Sequence, residues 1–391
     1  MKTLAFLLAA ALLAGCASAP VEREAGLPAY LMADARFAAP SEPVDTSTLF
    51  TLSPAMHAYL HTLNIRNPVR DKSPQRRLAE ALYKEGELRL DYDASVTHPA
   101  AATFERKSGN CLSLVIMTAA FAKEMGFRVT FQEVRVEETW SREGALYLAN
   151  THVNVVLGRR SDASRPAWEF TEGLLVDFLP PEDAATHKSQ PIGEHAIVAM
   201  YANNRAAEAL AQGRVSDAYW WARKAIETDP AFDMAYNTLG VVYQRHGDNA
   251  MAEKVFTDVL TRAPDNRIVL RNLVPVLEAL DKRTEADQVR ARLAALDPTP
   301  PFHYFQLGQA AMARNQFREA RDLFAREIAR APYYHEFHFW HAMASLRLGD
   351  DDSARKDLAR AIETSGTADS RARYSAKLDH MRRLLPRSTR R

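Results

Sequence analysis

Cysteine is almost absent from this chain: its 391 residues carry two, Cys16 and Cys111. That excludes a disulfide framework and a cysteine-built metal centre. A surplus of charge is missing too. Fifty Lys and Arg face 49 Asp and Glu, so composition points to neither nucleic acid nor an acidic membrane surface as partner. There is no Gly-rich phosphate loop, no nucleic-acid signature and no compact Cys/His ligand set, and nothing calls for a cofactor. His335, His338 and His341 have helical spacing, but among Tyr333, Tyr334, Phe337 and Phe339 they read as groove or core rather than as metal ligands. After the N-terminal apolar run, no stretch has the length and purity of a transmembrane helix.

What is present begins with that run. Lys2, the apolar stretch Leu4 to Leu13 and the small residues before Cys16 read as a signal peptide over 1–15, too short to remain as a spanning helix. Leu13-Ala14-Gly15-Cys16 resembles the bacterial lipobox. The resemblance implies that Cys16 is lipidated and that the membrane is a partner through that lipid. With Ala17 following, it implies the outer membrane of a cell envelope, facing the periplasm. Residues 16–50 are rich in Ala, Pro, Glu and Ser without a sustained period, and predict a flexible tether.

The stretch that organises the chain is Ser108-Gly109-Asn110-Cys111-Leu112-Ser113-Leu114, continuing apolar to Phe127. It predicts a helix buried on most sides, opened by a Gly-Asn turn and ended by Gly126 in a left-handed turn. Cys111 then falls in the first turn, where the helix dipole and unpaired N–H groups favour a thiolate. In an exported chain with no second thiol to pair with, such a cysteine suggests catalysis. Asn110 and Asn150 are better explained as turn residues than as oxyanion donors.

Around it the pattern predicts helices over 55–63 and 75–85, each behind a Ser-Pro pair. Strands follow over 128–137, with a bulge between Phe131 and Val134, and over 146–157, separated by a loop at 139–144. Two more are expected over 167–171 and 174–178, before a linker and first-helix approach over 181–198. Helix first and consecutive strands after it make an α+β domain over 51–180. A cysteine nucleophile needs a base, and the base an orienting acceptor. His152 and Asp177, both on predicted strands, are the candidates; Glu169 and Asp183 are rivals for the acidic place.

Beyond the linker the chain repeats. Pro230, Pro264, Pro298 and Pro332 fall 34 residues apart (264−230, 298−264, 332−298), and Ala218, Ala252, Ala286, Ala320 and Ala354 keep the same period. Gly213, Asp281, Asn315 and Gly349, with Gly247, hold a third phase of turn residues. Leu239-Gly240 and Leu307-Gly308, with Tyr243, Phe256 and Phe324, complete a resemblance to the tetratricopeptide repeat. It implies an all-α solenoid of five repeats over 199–368, starting near Ala199, Asp233, Arg267, Pro301 and His335. A capping helix and basic tail follow over 369–391. The third repeat carries Val274 in the small-residue slot and Pro275 inside its first helix, where a kink is expected. First-helix positions Asn237, Arg271, Phe302, Phe305 and Phe339 are expected to face a groove that takes a peptide or protein.

Thr103 to Ser113, Thr151-His152-Val153-Asn154-Val155 and Val176-Asp177-Phe178 together resemble the transglutaminase-like, papain-like thiol superfamily. The resemblance implies an α+β transglutaminase-like domain in which Cys111 attacks a carbonyl, His152 moves its proton and Asp177 orients the imidazole. Leu112 and Val153 stand where many relatives carry aromatics. The reading is a lipid-anchored envelope thiol hydrolase, a peptidase or amidase, with a repeat solenoid binding substrate or partner. Its alternatives are a non-catalytic repeat scaffold for envelope assembly and a cross-linking transglutaminase.

Overall fold

Two Ser-Pro pairs start the helical framework as their chemistry predicts. The structure, a computed structural model, describes residues 27–66, 73–83, 91–93, 96–143, 146–160, 173–178 and 188–384. Helices α1 (Pro54–Arg66) and α2 (Pro74–Tyr83) begin at those prolines. The preceding Ser53 and Ser73 hydroxyls accept the Met56 and Arg76 N–H groups, both at 3.3 Å. Their buried residues, Met56, Leu60, Leu78 and Leu82, join one core with the thiol helix. A two-residue strand β1 (Asp91–Tyr92) pairs in parallel with β2 (Ser108–Gly109), which flanks the short helix α3 (Ala100–Arg106) on its C-terminal side.

The thiol helix, α4 (Cys111–Glu124), buries every residue from Leu112 to Ala122. It ends at Met125, and Gly126 follows at φ +75°, the left-handed turn expected there. Behind it stands an antiparallel sheet in the order β5–β4–β3–β6, formed by β3 (Phe127–Glu143), β4 (Leu146–Arg160), β5 (Leu174–Val176) and β6 (Lys188–Ile192).

Three strand expectations need correction. Between Phe131 and Val134 the register with β4 is regular, and the irregularities fall between Phe127 and Val129 and after Val134. Phe131 opposes Val155 and Val134 opposes His152, so the parity change reflects a strand buried on both faces, not a bulge. Residues 139–143 are paired strand rather than loop. The linker over 181–198 contains β6, which pairs with β3 from Arg135 to Phe131 and leads directly into the first repeat helix.

The repeat array is five helix pairs and a cap. These are α5 (Glu194–Ala211) with α6 (Val215–Thr228), α7 (Asp233–His246) with α8 (Asn249–Arg262), and α9 (Arg267–Ala279) with α10 (Arg283–Leu296). They continue as α11 (His303–Ala313) with α12 (Phe317–Arg330) and α13 (His335–Arg347) with α14 (Asp351–Glu363), before α15 (Ala368–Leu384). All five alanines of the period are fully buried. The turn phase is one backbone conformation: Gly213, Gly247, Asp281, Asn315 and Gly349 all have φ between 58° and 90°. Pro230, Pro264, Pro298 and Pro332 each lie two residues past the end of a second helix. α9 stays helical through Pro275.

A Cβ on Gly240 would lie 2.3 Å from Phe256, and one on Gly308 would lie 2.5 Å from Phe324. The third repeat exchanges both members of that contact, with Val274 and Arg290 in the matching places. Its second helix, α10, buries only Ala286. The core divides at this repeat. One cluster runs from the thiol domain to Ala286, and others begin at Phe302.

The tether expected over 16–50 is wrong for the part described. Residues 27–50 form a strap across the first two repeats. Phe37 stacks on Tyr219 at 3.9 Å, Tyr243 donates to Leu31 O at 2.7 Å and Trp220 Nε1 donates to Ala38 O at 2.7 Å. Ser41 gives both its N–H and its hydroxyl to Asp217. Leu31, Phe37 and Leu49 are buried. Low-complexity composition misled because six or so well-spaced anchors, not a period, fix this segment.

Candidate functional site

The site begins with a helix cap. Asn110 precedes α4 in extended conformation, and its Oδ1 accepts both the N–H and the hydroxyl of Ser113 at 2.9 Å. Asn110 therefore caps the helix, and Cys111 is its first residue. Gly109 is small for contact rather than for a turn: a Cβ there would meet Ser113 Cβ at 2.6 Å. Helix geometry leaves the first N–H groups, those of Cys111 and Leu112, without intrahelical acceptors. Cys111 is a free, partly exposed thiol.

Opposite it, β4 and β5 bring His152 and Asp177 together. Val155 pairs with Val176, so one step further along each strand Asn154 and Asp177 become neighbours on one sheet face, which His152 shares. His152 Nε2 donates to Asp177 Oδ1 at 2.6 Å, and Asn154 Nδ2 donates to Asp177 Oδ2 at 3.0 Å. The carboxylate is thus held at both oxygens. Burial pushes the His152 imidazole down. Its hydrogen bond and charge interaction with Asp177, together with the influence of neighbouring Cys111, outweigh burial and raise it from 6.5 to about 9. Since Nε2 faces Asp177, Nδ1 is the nitrogen left for the sulfur. Such an arrangement can hold a thiolate beside an imidazolium and return the proton to a leaving group.

Asn154 was not singled out from the sequence, although it lies two residues after the histidine and so on the same strand face. Its Oδ1 is buried without a hydrogen-bond partner among the described residues. The alternative acids, Glu169 and Asp183, lie outside the described residues, as do Cys16, the signal peptide and the strand expected over 167–171.

The five residues expected to line a binding groove all have partners within the repeats, and Arg271 and Phe339 remain partly exposed. Phe302 and Phe305 are 2% exposed, packed with Phe337 in the repeat core. Phe339 stacks on Tyr374 of the cap at 4.9 Å. Asn237 is buried and accepts from Asn272 Nδ2 at 2.8 Å, and Arg271 pairs with Asp297 at 3.0 Å. The reason is physical: in a helical pair, aromatics at the stacking interface and in the groove share the same period. Of the histidines, His335 bonds Tyr374, while His338, bonded to Pro332 O, and His341 both face Asp357, at 3.9 and 2.7 Å. Among the described residues no cluster suits a metal ion.

Residues 235–266 match the family model described as tetratricopeptide repeat. Comparison with curated proteins gives no match. Among solved structures, the chain is similar to MamA at 18% identity, covering 44% of this chain and 96% of that one, with a TM-score of 0.23. It is similar to a thermophilic TPR protein in Thermus thermophilus at 19% identity, covering 48% and 100%, with a TM-score of 0.30. YrrB, described as a TPR protein with an unusual peptide-binding site, matches at 20% identity, covering 46% and 92%, with a TM-score of 0.25. The transglutaminase-like resemblance rests on the residues of the thiol domain alone. The segment 235–266, which matches the tetratricopeptide repeat model, is set in an array of helix pairs of the same period.

Proposed function

We propose that this chain is a thiol-dependent acyl-transfer protein, cleaving amides by hydrolysis, carried on a protein-binding repeat scaffold. The observation that supports the chemistry is the His152–Asp177 hydrogen bond at 2.6 Å, on the imidazole that responds to Cys111 at the start of α4. In this reading the Cys111 thiolate attacks the amide carbonyl carbon, and the developing oxyanion accepts from the N–H groups at the start of α4. His152 gives its proton to the departing amine as the C–N bond breaks, leaving a thioester. Water then attacks that thioester, His152 taking its proton, and the acid departs as the thiol is restored. Asp177, held by Asn154, orients the ring throughout.

A second reading, a scaffold without catalysis, is favoured by the family match, which falls on the repeats. Alkylation of Cys111 as a function of pH, with and without His152→Ala, separates the two. The thiol reading expects reaction well below the ordinary thiol range near pH ~8.5, lost with the histidine. A slow thiol indifferent to His152 leaves the scaffold reading. Attachment to an envelope membrane through lipidated Cys16 belongs to the same proposal, motivated by Leu13-Ala14-Gly15-Cys16. Cys16→Ser should release the protein to the soluble fraction; unchanged membrane association removes the anchor.

A further inference from the structure

The first repeat reaches into the cap of the thiol helix. Asn204 and Glu208 stand one turn apart on α5, so their side chains leave the same face. Glu208 Oε1 accepts the Thr97 N–H at 2.6 Å, and Asn204 Nδ2 donates to Thr97 Oγ1 at 3.2 Å. That same hydroxyl oxygen accepts from Asn110 Nδ2 at 2.8 Å, and Asn110 Oδ1 caps α4. The next residue, His98, donates its N–H to Ser113 Oγ at 2.8 Å, closing the network on the first turn of α4. Thr97 is 1% exposed, so none of these bonds is replaced by water without opening the structure.

The Glu208 side chain bonds Thr97 outside the repeats and Arg205 on its own helix. Burial pushes its carboxyl up, while the Thr97 N–H and the Arg205 charge draw it back. Its second oxygen accepts from Arg205 Nη1 at 2.8 Å, and Arg205 Nη2 reaches Glu42 of the strap at 2.7 Å. A largely desolvated acid on a repeat helix is costly unless its partners compensate it. Here the partner is the segment that seats Asn110.

We propose that Glu208 and Asn204 are positioning residues of the thiol site: they fix Thr97, Thr97 fixes Asn110, and Asn110 sets the turn that presents Cys111. The inference rests on the thiol reading above and adds the first repeat to the scaffold of that site. A thiol domain cut from its repeats would lose the outer half of this network.

The test is made in the full chain. Cys111 alkylation by iodoacetamide is followed by peptide mapping across the titration range of a thiol, in the wild type, Glu208→Ala and Glu208→Gln. Amide exchange at Leu112 and Ser113 is measured in parallel. Glu208→Ala should slow alkylation at neutral pH by about fivefold, the scale of one lost cap, and shift its pH profile upward. Glu208→Gln keeps an acceptor for Thr97 and should hold most of the wild-type rate. Faster exchange at Ser113 should accompany the alanine variant. A lowered melting temperature with an unchanged alkylation profile and unchanged exchange overturns the proposal. If wild-type Cys111 proves indifferent to His152→Ala, the thiol reading fails, and exchange at Ser113 alone decides whether the latch exists. If Glu208→Ala does not fold, Asn204→Ala, which removes one donor from Thr97 Oγ1, carries the same comparison.

Discussion

His152 and Asp177 meet at 2.6 Å across the β4–β5 pair, with side chains 6% and 10% exposed. The raised imidazole makes a stability prediction with a definite sign. A group whose folded pKa, about 9, lies above its unfolded value of 6.5 contributes fully below 6.5, and that contribution is lost as pH rises through about 9. The gap in melting temperature between the wild type and His152→Gln should be widest in mildly acid solution and close in alkali. A gap that widens toward alkali contradicts this assignment.

The Gly240–Phe256 contact predicts a position-specific cost. Gly240→Ala places a methyl against a ring already at 2.3 Å, and should destabilise by about 1–3 kcal/mol through overpacking. Val274→Ala, in the equivalent slot opposite Arg290, removes a larger side chain without that clash. Urea unfolding of the two variants, compared at equal slope, reads the difference.

Phe37 makes a prediction for the strap. It is buried, stacked on Tyr219 and next to His246. Phe37→Ala should cost about 3 kcal/mol if the strap stays seated, as for other buried aromatics. It should also loosen the Trp220 bond to Ala38 O, seen as a red shift in tryptophan emission. An unchanged spectrum and an unchanged midpoint would show that the strap adds nothing to the repeats.

The third repeat should open first. α10 contributes one buried residue, and the cores on its two sides are separate clusters. In a stacked array, stability passes through neighbouring interfaces, so a thin interface decouples what lies beyond it. Amide exchange in α10 should be the fastest among the second helices of the five pairs, at denaturant concentrations where α6 and α8 remain protected. Equal protection throughout would mean one cooperative unit.

The array was legible because three independent demands recur at one interval. Ala218 and its equivalents need no room, Pro230 and its equivalents stop helices, and Gly213, Asp281 and Asn315 all accept positive φ. The start and end of α4 were legible for the same kind of reason, Asn110 and Gly126 each having one backbone role. What escaped was whatever depends on distant chain. The aromatics Phe302 and Phe305 have the right helical phase for a groove, and only the neighbouring repeat reveals that they are covered. Val134 looked out of step because periodicity cannot report burial on both faces. Asn154 and Glu208 look like ordinary surface polar residues until Asp177 and Thr97 are brought beside them.

The strap sets an order of events during synthesis. Leu31 is made early, but the hydroxyl that binds its carbonyl belongs to Tyr243, 212 residues later, and the Lys254 that binds Tyr30 O is 224 residues later. On a ribosome the N-terminal segment emerges long before its seat exists, and contacts so far apart in sequence close slowly. Until Tyr219, Tyr243 and His246 are in place, Phe37 lacks the rings it packs against. The thiol domain, which precedes the repeats in the chain, waits on the first two of them before its own N-terminal lead is docked.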